Sequence, residues 1–254
     1  MRILITNDDG IDYKGIHALI DAFKKSHEVI AIAPEGERSG FSHSVTIFRP
    51  ITYIGGTTKN VESYAVSGTP ADCVKLGVLH ILKNRPPDLV ISGINSGPNL
   101  GSDVMYSGTV AAASEALFLN VPAIAISLGH WTKKDEPNVA AANFLKQNFD
   151  TLYNIAKEYK GRAILNINYP VGEFKGVKFT KTGVNSYDDY YEHLGELDGK
   201  TQVQLKGETF MHKNDYEPCD VLCIKNGYAS ITPLQLDRTN HVLLEKLSKQ
   251  VKFN

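Results

Sequence analysis

The sequence predicts an α/β protein: one doubly wound, mostly parallel sheet, followed by a C-terminal β-hairpin arm and a terminal helix. Three observations predict it. Short apolar runs alternate with segments of helical spacing through the first two-thirds of the chain. Four polar loops rich in Gly, Asn, Ser or Asp follow these runs. After Pro170 the alternation fades, and charges and aromatics take its place.

Residues 3–6 are a continuous apolar run, as in a strand buried on both faces. Ile16, Leu19, Ile20 and Phe23 then fall at helical spacing. Residues 29–33 form a second strand closed by Pro34, and 35–44 a polar loop. Residues 45–62 read as short strands around a Gly55-Gly56 turn, and 64–66 as another strand. Thr69 is placed to cap a helix that has Pro70 at its first position. A strand at 89–92 ends at Gly93-Ile94-Asn95, and an alanine-rich helix runs from Thr109 to about Leu119. Residues 123–127 and 163–167 are further strands, with one long amphipathic helix expected over 138–159. This alternation makes residues 1–170 a Rossmann-like core.

Residues 171–254 read as a C-terminal β arm, hairpin and helix, suited to oligomerisation. Tyr187, Tyr190, Tyr191, Phe210 and Tyr216 stand in a polar setting. Residues 203–205 are expected to pair with 209–211 across Lys206-Gly207-Glu208. Residues 221–224 and 229–232 read as strands flanking Asn226-Gly227, a hairpin signal. A last helix is expected over 238–249.

The 254 residues suffice to bury about three-quarters of the surface that the unfolded chain exposes. A net charge of −1 gives no global basic field, which argues against a stable nucleic-acid partner. Cys73, Cys219 and Cys223 lack zinc spacing and read as buried thiols in a reducing compartment. Asp8 and Asp9 interrupt the first apolar run, so it does not read as a signal peptide, and no run approaches a membrane span. The expected location is cytoplasmic, with no membrane partner.

The four loops carry the chemistry. Asn7-Asp8-Asp9-Gly10 puts two adjacent carboxylates at a strand's carboxyl end, where open α/β sheets place ligands. Two like charges side by side repel, and a hard cation such as Mg²⁺ or Mn²⁺ would offset them. Arg38-Ser39-Gly40-Phe41-Ser42-His43-Ser44 offers hydroxyls, with Gly40 permitting close backbone approach. Residues 92–101 hold Gly93, Asn95, Gly97, Asn99 and Gly101 in a tight loop. Tyr106-Ser107-Gly108-Thr109 opens a helix, whose free N–H groups and hydroxyls suit a phosphate. Taken singly, each also reads as an ordinary cap, turn or solvated loop. Together they suit a cation and an anion beside it.

Several blocks give the chain a specific resemblance: Ile-Leu-Ile-Thr-Asn-Asp-Asp-Gly at 3–10, Arg-Ser-Gly-Phe-Ser-His-Ser at 38–44 and Val-Ser-Gly-Thr-Pro-Ala-Asp-Cys-Val at 66–74. Leu-Val-Ile-Ser-Gly-Ile-Asn-Ser-Gly-Pro-Asn-Leu-Gly at 89–101, Tyr-Ser-Gly-Thr-Val-Ala-Ala-Ala-Ser-Glu-Ala at 106–116 and Ser-Ile-Thr-Pro-Leu-Gln-Leu-Asp at 230–237 continue it. In these the chain resembles the SurE family of survival-protein nucleotidases. The resemblance implies a phosphatase acting on nucleoside 5′-monophosphates, and on 3′-monophosphates in some members, with one divalent cation, Mg²⁺ or Mn²⁺, per subunit. It implies Asp8, Asp9, Ser39 and Asn95 as metal ligands, and homodimers, in some members tetramers. Ala111 and Ala116 depart from glycines expected in that pattern, at positions read as packing.

With that set, Asp8, Asp9 and Asn95 are the expected catalytic centre. Ser39, Gly40, Asn95, Ser107, Gly108 and Thr109 are the expected substrate contacts. Either a metal-bound water or Asp8 itself could attack phosphorus, and His43 is a candidate proton donor. Two other readings stand beside this one: a non-catalytic nucleotide-binding regulator, and a hydrolase of other phosphate esters or polyphosphate.

Overall fold

The computed structural model describes residues 1–59, 61–207, 209–211 and 218–250. Its main sheet holds nine strands: β1 (Arg2–Thr6), β2 (Glu28–Pro34), β3 (Tyr53–Gly55), β4 (Glu62–Val66), β5 (Leu89–Asn95), β6 (Ala123–Leu128), β7 (Ala163–Tyr169), β8 (Val177–Phe179) and β13 (Ala229–Gln235). They lie in the order β3-β4-β2-β1-β5-β6-β7-β13-β8. From β4 through β7 the neighbours are parallel, while β3 and β13 pair antiparallel with β4 and β7. The chain leaves β1 toward β2 and later returns to its other side as β5. Their carboxyl ends therefore flank the crevice where the winding reverses.

Alternation within β1 divides its side chains between two cores. Ile3 and Ile5 join Ile16, Leu19 and Phe23 of α1 (Lys14–Phe23) and residues of α4 (Glu136–Gln147) and α5 (Phe149–Glu158). Leu4 joins Val74 of α2 (Pro70–Leu76) and Ala112, Ala113 and Ala116 of α3 (Gly108–Phe118). Ile3, Leu4 and Ile5 are fully buried, worth about 1.5–3 kcal/mol each. Small alanines let α3 lie close on the sheet, and Ala111 and Ala116 are buried there. Thr69 accepts from the Asp72 N–H at 3.1 Å while Asp72 accepts from the Thr69 N–H at 2.9 Å. This capping box, with Pro70 in the first turn, fixes the start of α2.

Several expected elements differ. The helix expected over 138–159 is two helices that meet at Asn148, where the backbone leaves the helical region (φ −104°, ψ 14°) and Nδ2 donates to the Phe144 carbonyl at 2.9 Å. Of the short strands expected over 45–62, Tyr53–Gly55 is the one that forms before β4. Residues 221–224 are not a strand but lie in α6 (Asp220–Lys225). Asn226-Gly227 ends that helix, with Gly227 at φ +82° and its N–H on the Ile224 carbonyl, a left-handed cap rather than a hairpin turn.

The arm also pairs differently. β10 (Tyr190–Leu197) and β11 (Lys200–Lys206) form a separate hairpin across Asp198-Gly199. Both turn residues have positive φ, as a two-residue hairpin turn requires. β9 (Asn185–Tyr187) pairs with β12 (Thr209–Met211). Residues 203–205 therefore pair with β10, not with 209–211. Glu208 and Tyr216 lie outside the described residues. The last helix, α7, spans His241–Gln250. All three cysteines are buried. Among the described residues no helix is long and apolar enough to cross a membrane.

Candidate active site

Four polar side chains named from the sequence, Asp8, Ser39, Asn95 and Ser107, line one cavity of about 430 Å³, along with Gly40. The cavity opens at the carboxyl ends of β1 and β5. Beyond β1, Asn7 folds its own loop: Nδ2 donates to the Gly10 carbonyl at 2.8 Å and Oδ1 accepts from the Gly10 N–H at 3.2 Å. Gly10 has φ +108°, a conformation that glycine tolerates. The turn leaves Asp8 only 4 % exposed.

Asp8 rests on the first turn of α3. Thr109 Oγ1 donates to Asp8 Oδ1 at 2.5 Å. A Cβ on Gly108 would stand 2.8 Å from Asp8 Cβ, so a side chain there would displace the carboxylate or the helix. Ser107 caps α3 by accepting from the Val110 N–H at 3.1 Å. Thr109 is fully buried behind Asp8 and is not among the cavity-lining residues.

Among the described residues no positive charge offsets either carboxylate. Burial raises the Asp8 carboxyl above its ordinary value, against the hydrogen bonds of Thr109. Burial first, and then the charge of Asp8, pushes Asp9 up to about 7; Glu37 adds to both. Asp9 Oδ2 is buried without a hydrogen-bond partner. Among the described residues no three His, Cys, Asp or Glu side chains converge as a metal cluster. A cation here would therefore rest on two carboxylates and neutral oxygens, a donor set that fits Mg²⁺ or Mn²⁺ better than zinc.

Asn95 ends β5 almost buried, and its Nδ2 donates to the Gly97 carbonyl at 2.8 Å, which leaves Oδ1 as the free donor atom. Ser39 and Gly40 come from the loop after β2. That loop is tied down where the Arg38 N–H donates to the Asp8 carbonyl at 2.7 Å and Ser42 Oγ to the Met105 carbonyl at 2.6 Å. Gly40 has φ +75° with open space around it, so backbone conformation rather than close approach calls for glycine. His43 is drawn away from the cavity: its Nε2 lies 3.0 Å from Glu115 Oε2.

Three features of the site escaped the sequence reading. Asn99 sits in a buried amide network, its carbonyl accepting from Asn166 and Asn168 Nδ2 at 2.9 and 3.0 Å and its Nδ2 donating to Ser127 Oγ at 2.7 Å. Asparagines among the apolar residues of β7 were the available signal. Asp220, fully buried, accepts from the N–H groups of Gly101 and Gly183 at 2.9 and 2.8 Å, joining the 96–105 loop to the C-terminal segment. Trp131 contributes an aromatic wall to the cavity.

Fold and site together define a doubly wound α/β protein with an acidic, oxygen-lined cavity at its switch point. The chain belongs to the SurE family: residues 3–189 match the family described as survival protein SurE. It is 41% identical over 252 residues to the 5′-nucleotidase SurE of Alkaliphilus metalliredigens, covering 97% of each chain. It is also 41% identical over 254 residues to the protein of that name from Pelotomaculum thermopropionicum, covering 99% of this chain and 96% of the other. Among solved structures it is similar to the SurE protein from Aquifex aeolicus, with a TM-score of 0.82 and 34% identity, covering 98% of this chain and 99% of that one.

Proposed function

We propose that the protein is a divalent-metal-dependent phosphatase that hydrolyses nucleoside 5′-monophosphates, and 3′-monophosphates as well, to nucleoside and phosphate. The observation that carries this is Asp8, held by the first turn of α3 in a cavity shared with Asn95, Ser39 and Ser107, with the partly buried Asp9 next to it in sequence though not in the cavity lining. The names of the similar proteins support the nucleotide as substrate.

Asp8, Asp9, Ser39 and Asn95 would hold one Mg²⁺ or Mn²⁺. When bound, such an ion neutralises phosphoryl charge and lowers the pKa of a coordinated water. Asp8 is anchored through Oδ1 by Thr109, which suits a fixed ligand better than a nucleophile that must reach phosphorus. Asn95 presents Oδ1 because Gly97 holds its nitrogen. Ser39, Gly40, Ser107 and Gly108 position the phosphate, with the helix start favouring its negative charge. Thr109 acts by positioning Asp8. Phosphoryl transfer needs positioning and electrostatics above all.

The protein works as a homodimer or a pair of dimers through its C-terminal segments. β10–β11 leaves Tyr190, Tyr191, Leu194, Val203 and Leu205 exposed, and α7 leaves Val242 82 % exposed. A two-stranded arm is marginal alone, and apolar surface on it calls for a partner. The three buried thiols support a cytoplasmic location.

The deciding experiment measures inorganic phosphate released from nucleoside monophosphates, sugar phosphates and polyphosphate, with chelator and then with Mg²⁺ or Mn²⁺ restored. Metal-restored release from nucleoside monophosphates supports the reading. Nucleotide binding without release would instead make the protein a regulator, and a preference for polyphosphate or sugar phosphates would make it a different phosphatase.

A further inference from the structure

We propose that Trp131 is the platform on which the substrate's nucleobase stacks; this rests on the nucleotidase reading above. Trp131 is the chain's single tryptophan, and the residue is 70 % exposed rather than in either core. It stands on the segment between β6 and α4 and lines the same cavity as Asp8, Ser39 and Ser107.

Its position is built from the backbone of the 96–101 loop. A Cβ on Gly97 would stand 2.3 Å from Trp131 Cε2 and 2.7 Å from Cδ2, so the indole lies directly against the glycine and a side chain there would displace the ring. The Gly97 carbonyl in turn accepts from Asn95 Nδ2 at 2.8 Å. One residue thus seats the aromatic ring and orients a proposed metal ligand. Pro98 and Leu205 add apolar lining to the same cavity.

The cavity therefore joins two chemistries. Carboxylate, amide and hydroxyl oxygens suit a cation and a phosphate. An exposed indole adds nothing for inorganic phosphate or polyphosphate, which carry no apolar face. A nucleoside monophosphate carries both a dianion and a flat π surface, and about 430 Å³ is within the usual range for small-molecule sites. Stacking tolerates any base, because every base has a π face. The structure thus assigns the ligand of this wall as a nucleobase, purine or pyrimidine.

The test uses the tryptophan as its own reporter. With chelator present to stop turnover, tryptophan emission is followed as the protein is titrated with adenosine 5′-monophosphate, adenosine or ribose 5-phosphate. The two compounds carrying a base should quench or shift the emission, and ribose 5-phosphate should not. With metal restored, Trp131→Ala should reduce the preference for adenosine 5′-monophosphate over ribose 5-phosphate in kcat/KM by roughly 5- to 150-fold, mainly through KM. Trp131→Phe should keep most of that preference. The proposal is overturned if neither base-bearing compound alters the emission, or if Trp131→Ala lowers kcat/KM equally for both substrates. Quenching without phosphate release from any nucleotide would support the platform while defeating the nucleotidase reading.

Discussion

Thr109 Oγ1 donates to Asp8 Oδ1 at 2.5 Å, so the first turn of α3 holds the carboxylate that ends β1. Thr109→Val keeps the shape and removes the donor. Sequence spacing alone would predict weaker inhibition by inorganic phosphate. The geometry predicts instead an activating-metal constant about 10- to 100-fold weaker, as for loss of an outer-shell partner, with phosphate inhibition at saturating metal nearly unaltered. Titrating activity with Mn²⁺ and with phosphate separates the two. An unchanged metal constant would refute the positioning role.

Asp9→Asn should weaken metal binding and lower turnover by about 10²–10³-fold or more, the loss typical of one electrostatic group. It should also stabilise the metal-free protein. Burial and Asp8 lift the folded carboxyl from 3.8 to about 7, so the folded state binds more protons than the unfolded one between those values. Stability therefore falls as pH rises through that window, and the penalty is complete above it. Neutral Asn removes the penalty, and Tm in chelator above pH 7 should rise by about 2–4 °C for each kcal/mol relieved. Scanning both proteins with and without Mn²⁺ checks both halves. A lower Tm for the variant in chelator would contradict the account.

Glu115 carries the opposite sign. Burial raises its carboxyl, but the contacts from His43 and Lys75 outweigh burial and hold it below its ordinary 4.5. Lys75 Nζ lies 2.5 Å from Oε1. Its stabilising contribution is present above about 4.5 and is lost as pH falls through the lowered folded value. Glu115→Gln should cost about 1–3 kcal/mol at neutral pH, with the gap narrowing in acid. Urea unfolding across that range measures it, and a gap that widens in acid would overturn the assignment.

Replacing residues 186–216 with a short Gly/Ser linker should turn the proposed dimer into a monomer. Light scattering after size exclusion reads the outcome. Retention of the parent's assembly at low concentration would move the contact to another surface, with α7 as the next segment to remove.

The parallel core was legible because buried strands such as β1 are apolar without interruption and because Thr69-Pro70 starts a helix by a local rule. The arm was less so. Asn226-Gly227 and Asp198-Gly199 are both turn dipeptides, yet the first caps α6 and the second makes the hairpin. What separates them is whether the preceding residues bury against β13 and β7 or stand in solvent, which tertiary packing decides. At the site, the adjacent aspartates announced themselves by repulsion. Thr109 did not, since a hydroxyl at a helix start can face a ligand or turn inward, and only the approach of Asp8 to Gly108 selects the second. Asn166 lay in a strand already explained by its apolar residues, and Asn168 just past the 163–167 run read as that strand.

The Asn99 network gives the two sides of the cavity different lifetimes. Its inner side hangs from β5, β6 and β7, and amide protons there should exchange only when the core itself opens. Its outer side includes Tyr187, Asp189 and Leu205, from the segment that forms two separate two-stranded ladders outside the main sheet, where exchange needs only local opening. A ligand entering the cavity would therefore meet one face already fixed and one that settles after arrival, so the entropy lost on binding would fall largely on the arm.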